Sequence, residues 1–184
     1  MSTFKGLDKV ITNLKNVRNA IQNDVNYMFI SKSLDWISLK ANRFLDRKTH
    51  HFFGSDAREW TKKIYSTFGI LENNDMNSAS IEFGIGRIGA SNPLPEAIAN
   101  GYEYDKPSSY KNADGYWTFQ DVRTGMWLTI KGYEGKSFLY DAFCEFMLNR
   151  IWVKIYEQCF NRVMRRLIKK WLILILKAKK YLKI

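Results

Sequence analysis

Apolar residues recur at three- and four-residue steps near the start of the chain. Leu7, Val10, Ile11, Leu14, Val17, Ile21, Val25 and Met28 follow this rhythm, with Lys5, Lys9, Lys15, Arg18 and Asn19 between them. Such a period puts one apolar face on a helix, predicted over residues 6–29. Leu34, Ile37, Ala41, Phe44 and Leu45 continue the pattern, with Ser31 or Ser33 as candidate caps, and it stops near residues 48–54. The spacing leaves one helix and two helices equally open.

The pattern then shortens. Residues 55–68 read as a short helix capped by Ser55 or Asp56, passing into a strand near 64–70, and Asn73-Asn74-Asp75 reads as a turn. Residues 78–83 read as a second strand ended by glycines. Residues 90–115 hold all three prolines, Pro93, Pro95 and Pro107, and read as a long loop with a short helix at 95–100. Residues 116–131 are rich in strand formers on either side of Asp121–Gly125 and predict a β-hairpin. This hairpin is expected to bring Trp117, Phe119 and Trp127 together. Aromatics so grouped stack nucleobases in some proteins, but a core or subunit-interface role is the preferred reading.

From Ser137, a candidate N-cap, apolar residues come in adjacent pairs four apart: Phe138/Leu139, Ala142/Phe143 and Phe146/Met147. After one offset they resume as Ile151/Trp152, Ile155/Tyr156, Cys159/Phe160, Val163/Met164, Leu167/Ile168 and Trp171/Leu172. A four-residue step turns the stripe by about 40° each time on a helix. Either the helix breaks, or its later half meets something different from its first half. Unbroken to Lys183, it would be about 70 Å long, and its end is expected to project. The predicted class is α+β: one small antiparallel sheet from about 64–70, 78–85, 116–121 and 126–131. Long N-terminal and C-terminal helices pack on it, and the last one is extended and basic. Residues 1–160 form the domain and 161–184 a basic amphipathic tail.

Charge sharpens that division. The net charge is +11, and nine of those charges belong to residues 162–184, which hold no acid, so the other 161 residues carry only +2. Arg162, Arg165, Arg166, Lys169 and Lys170 are the candidate contacts of this tail. Nucleic acid, an anionic membrane and an acidic protein surface all fit such a segment. Residues 171–176 (WLILIL) are far short of the roughly 20 needed to span a bilayer. Docking on a neighbouring subunit is preferred here over lying in a membrane interface. With 46% apolar and 15% aromatic residues, the composition is that of a folded protein. No signal-peptide pattern opens the chain, so synthesis inside the cell is expected.

Candidate chemistry is sparse. Gly84, Gly86 and Gly89 make a G-x-G-x-x-G spacing, but no βαβ pattern surrounds it, and Pro93 and Pro95 are expected to stop a phosphate-binding helix as it begins. The glycines are read as shaping a loop. His50 and His51 are adjacent and point apart, so a shared metal or acid–base role is not expected. Cys144 and Cys159 would lie roughly 22 Å apart on one helix, too far for a disulfide, and are read as reduced. Asp141 and Glu145 read as a solvated face. Glu82, between Ile81 and Phe83, is expected to face solvent or an intersubunit salt bridge. No catalytic arrangement, cofactor or metal site is expected.

Ile81-Glu82-Phe83-Gly84 and Lys136-Ser137-Phe138-Leu139-Tyr140-Asp141-Ala142, in this order of elements, resemble a neck or tail-completion family of long-tailed bacteriophages. This family includes minor tail and head–tail joining proteins. Ser137 stands where the family usually has Pro, and Ile85 where it usually has Thr. The resemblance covers about residues 6–160 and implies a non-enzymatic virion protein, made in the host bacterial cytoplasm. It implies a homo-oligomeric ring, a hexamer, at the head–tail junction or top of the tail. Connector, neck and tail-tube proteins would be its partners, with DNA in the channel and no membrane contact. The candidate subunit-interface residues are Glu82, Phe83, Arg87, Trp117, Trp127, Phe138 and Trp171. The alternative function is a nucleic-acid- or membrane-surface-binding module acting through the basic helix.

Overall fold

The computed structural model describes residues 7–49, 59–73, 78–102, 104, 117–120, 124–130 and 132–182. The two N-terminal apolar runs form a single helix, α1 (Leu7–Thr49), of 43 residues. Nothing in the sequence between the runs breaks it, because neither Pro nor Gly occurs between Leu7 and Thr49. A hairpin follows, β1 (Trp60–Ile64) and β2 (Gly69–Asn73). The amide of Tyr65 donates to the Phe68 carbonyl at 2.9 Å and closes its turn, with the two rings stacked at 4.6 Å. The expected helix near residue 55, His50, His51, and positions 74 and 75 of the expected turn lie outside the described residues.

The expected strand at 78–83 is corrected. Ser78–Phe83 is a helix, α2, and only Gly84–Ile85 is extended, as β3. Six apolar-rich residues carry too little period to separate strand from buried helix. A second short helix, α3 (Gly86–Ser91), follows, then α4 (Pro95–Ala99) within the predicted loop. The predicted hairpin is present as β4 (Trp117–Gln120) and β5 (Trp127–Ile130). A further two-residue strand, β6 (Tyr133–Glu134), pairs antiparallel with β3. Among the described residues the strands do not join into one sheet but form three separate pairs, β1 with β2, β3 with β6, and β4 with β5.

The final helix breaks where the pair pattern is offset. Helix α5 spans Phe138–Leu148 and α6 spans Ile151–Leu182. Arg150 takes the left-handed conformation (φ 51°) between them. Its amide reaches back to the Met147 carbonyl, and its own carbonyl accepts from Val153, each at 3.1 Å. Helix α6 runs without interruption through residues 160 and 161. The fold is therefore mostly helical, α+β, with small two-stranded sheets.

The chain divides into two compact units. One takes the chain up to Trp36, Lys62–Ile70 and the chain from Phe146. Its buried apolar residues include Val25, Ile30, Leu34, Ile155, Cys159 and Val163. Phe29 meets Tyr156 edge-on at 5.6 Å, Trp36 lies 5.7 Å from Phe146, and Lys62 pairs with Asp35. The other unit takes Ile37–Thr61 and Leu71–Glu145. It buries Ile37, Ala41, Leu45, Ile81, Ile85, Ala97, Phe138 and Ala142. Trp60 stands edge-on to Phe138 at 6.3 Å and donates its indole N–H to Asn42 Oδ1 at 2.8 Å.

Candidate assembly site

The segments around Glu82 and Phe138 are more than fifty residues apart in sequence, yet they form one hydrogen-bonded assembly. Helix α5 opens at Phe138, so the amides of Leu139 and Tyr140 lie in its first turn, where a helix offers no carbonyl partner. Glu82 supplies the missing acceptors: its two carboxylate oxygens receive Leu139 N–H and Tyr140 N–H, each at 2.9 Å. A negative charge at this end also opposes the positive pole of the helix. Backbone bonds extend the join. Lys136 N–H donates to the Ile81 carbonyl at 2.8 Å and Ser137 N–H to the Glu82 carbonyl at 3.0 Å. Beyond them, Gly84 pairs with Glu134 and Ile85 with Tyr133.

Glu82 is only 6% exposed, which replaces the expected solvent or intersubunit role with a cap inside the chain. Ser137 stands at the start of α5 as expected, but Glu82 takes the first-turn amides. Burial pushes the Glu82 carboxyl above its ordinary value, and the backbone hydrogen bonds from Leu139, Tyr140 and Phe138 pull the other way. The same strand-to-helix passage leaves no room for side chains at Gly135. A Cβ there would lie 2.6 Å from the Glu82 carbonyl oxygen.

The glycines of the G-x-G-x-x-G spacing serve packing. Gly84 and Gly86 have positive φ, 88° and 63°, and carry the chain from α2 through β3 into α3. Gly89 lies against Tyr104, where a Cβ would sit 2.9 Å from the ring. A helix does start at Gly86, against expectation, but it ends at Ser91, two residues before Pro93. Tyr102 closes the cluster. Its hydroxyl donates to the Gly84 carbonyl at 2.9 Å, its ring lies 5.0 Å from Phe83 and 5.1 Å from Tyr104, and burial raises its pKa.

The other predicted site residues are scattered. Phe138 is 1% exposed and belongs to the core, while Phe83 is half-buried and Arg87 exposed. In the hairpin, Trp117 opposes Ile130, Phe119 opposes Leu128, and Trp127 opposes Gln120. Opposed residues share a face and neighbours alternate. Position 127 therefore falls on the other face from 117 and 119, and the expected grouping of the three is corrected. Trp127 itself is exposed, between exposed Met126 and Leu128. Trp171, Arg162, Arg165, Arg166, Lys169 and Lys170 are all exposed on α6. Four of these cations, with Gln158 and Asn161, line an open cleft of about 440 Å³.

One surface is legible only when pattern and burial are combined. In α6 the first member of each apolar pair from Ile151 to Leu167 is covered: Ile155, Cys159 and Val163 are buried, and Ile151 and Leu167 half-buried. The second member is exposed at Trp152, Tyr156, Phe160 and Ile168. Met147, at the end of α5, is exposed in the same way. A row of large, exposed side chains of this kind is a candidate interaction surface. Separately, Tyr140 on α5 is exposed, and hydrogen bonding with Cys144 first and then Glu96 pushes its hydroxyl up to about 12. Set against protein-family models, curated proteins and solved structures, the chain matches none.

Proposed function

We propose that this chain is a structural subunit of a tailed-bacteriophage virion. It is a neck or tail-completion protein that forms a ring around the DNA channel at the head–tail junction or the top of the tail. The observation that carries the reading is the exposed row Trp152, Tyr156 and Phe160 on α6, in which Tyr156 meets Phe29 on one edge while Trp152 and Phe160 remain 40% and 42% exposed. A folded monomer gains nothing from exposing it, whereas a neighbouring subunit in a ring covers it. Closed rings are built from heterologous contacts, where one patch meets a different patch of the next copy. A second feature supports the reading. The two segments that carry the family resemblance, 81–84 and 136–142, meet around the Glu82 carboxylate.

The test is negative-stain microscopy of the purified full chain, alone and mixed with purified phage heads and tails. Closed rings, or added density at the neck or tail top, are expected. The double variant Trp152→Glu, Phe160→Glu should abolish them while its far-ultraviolet circular dichroism stays unchanged. Particles without added density and a solution without rings refute the proposal.

A further inference from the structure

We infer that the last turns of α6 dock on the surface of an anionic lipid bilayer. From Ile168 onward α6 has left the core behind. Ile168, Trp171, Leu172, Ile173, Ile175 and Leu176 are each about half or more exposed, Trp171 at 57%. At about 100° per residue, positions 168, 171, 172, 173, 175 and 176 fall within an arc of about 200°, a broad apolar side of the helix open to water. Among the described residues, no helix is long and apolar enough to cross a membrane. A short apolar run with a tryptophan therefore fits the headgroup boundary rather than the bilayer core.

Charge selects the occupant. Arg162, Arg165, Arg166, Lys169 and Lys170 precede the run on exposed positions, and Lys177, Lys179 and Lys180 follow it in the sequence. No acid occurs from residue 158 to the end of the chain. Pairing with the same helix of a second copy would bring these cations together unopposed. Duplex DNA matches the cations through its phosphates but offers its polar backbone to Trp171, Leu172 and Ile175. An anionic bilayer answers both: lysine stems extend to the phosphates on either side of the run while the apolar side chains enter the boundary. This inference is independent of the ring proposal, which uses the earlier turns of α6.

The experiment is vesicle flotation with the full chain. Phosphatidylcholine vesicles are compared with vesicles that also contain phosphatidylglycerol, with and without competing duplex DNA, over a series of salt concentrations. The chain is expected to float with the anionic vesicles, less so as salt rises, and to ignore the neutral ones. Trp171→Glu with Ile175→Glu should weaken flotation by roughly tenfold or more, with unchanged circular dichroism because both side chains are exposed. Lys169→Glu with Lys170→Glu should remove the preference for anionic lipid. Three results overturn the inference: no flotation with anionic vesicles, flotation unchanged in the Trp171/Ile175 variant, or DNA stripping the chain from vesicles at the same salt. A variant that changes only the oligomeric state, with flotation intact, assigns the run to a second copy and also overturns it.

Discussion

Glu82 caps the helix that begins at Phe138: one of its carboxylate oxygens accepts the Leu139 amide at 2.9 Å, across 57 residues of sequence. Removing the side chain in Glu82→Ala leaves two first-turn amides without their acceptors. It should lower stability by about 1–3 kcal/mol, measured by urea unfolding.

The same group sets a pH dependence. Its folded pKa is raised from 4.5 by burial, so the native state holds the proton more tightly than the unfolded chain. Its contribution is fully present below the ordinary carboxylate value and is lost as pH rises through the folded value. Glu82→Gln cannot titrate. Its stability relative to the wild type should therefore shift in favour of Gln as pH rises through that window, then level off. A constant difference across the window contradicts this.

Gly135 and Gly125 separate close approach from backbone strain. A Cβ at Gly135 would lie 2.6 Å from both the Glu82 oxygen and the Phe83 carbonyl carbon. Gly125 has φ 69° and open space around it. Gly125→Ala should cost only about 1–2 kcal/mol, whereas Gly135→Ala must displace backbone and should cost clearly more. Thermal melts of the two variants decide it.

The cysteines should differ in reactivity. Cys159 is fully buried, and burial pushes its thiol up; Cys144 is only half-buried. In the native protein a thiol reagent at neutral pH should modify Cys144 and spare Cys159, and both should react after denaturation. Equal native rates for the two would contradict the packing of α6.

These contacts also mark how far the sequence was readable. The long helices were legible because Leu34, Ile37, Ala41 and Leu45, and later Ile155, Cys159 and Val163, repeat over many turns. A break was one of two readings the pair pattern left open; it falls at Arg150, where the pairs are offset by one residue between Met147 and Ile151. The hairpin was legible from its strand formers. Residues 78–83 misled because six residues cannot declare a period, and their conformation depends on carbonyl bonds to Lys136 and Ser137. The burial of Glu82 was hidden for the same reason, since its partners come from a helix start more than fifty residues later. Trp127 was grouped with Trp117 by composition, whereas register, which composition does not encode, sets them on different faces.

The proposed ring assembles through the exposed row of α6. Sedimentation of the full chain with purified phage tails and connector-bearing heads tests it most directly. The wild-type chain should pellet with one of these particles in a fixed ratio, and Trp152→Glu with Phe160→Glu should stay in the supernatant. A wild-type chain that remains a monomer in the supernatant with both particles would contradict it.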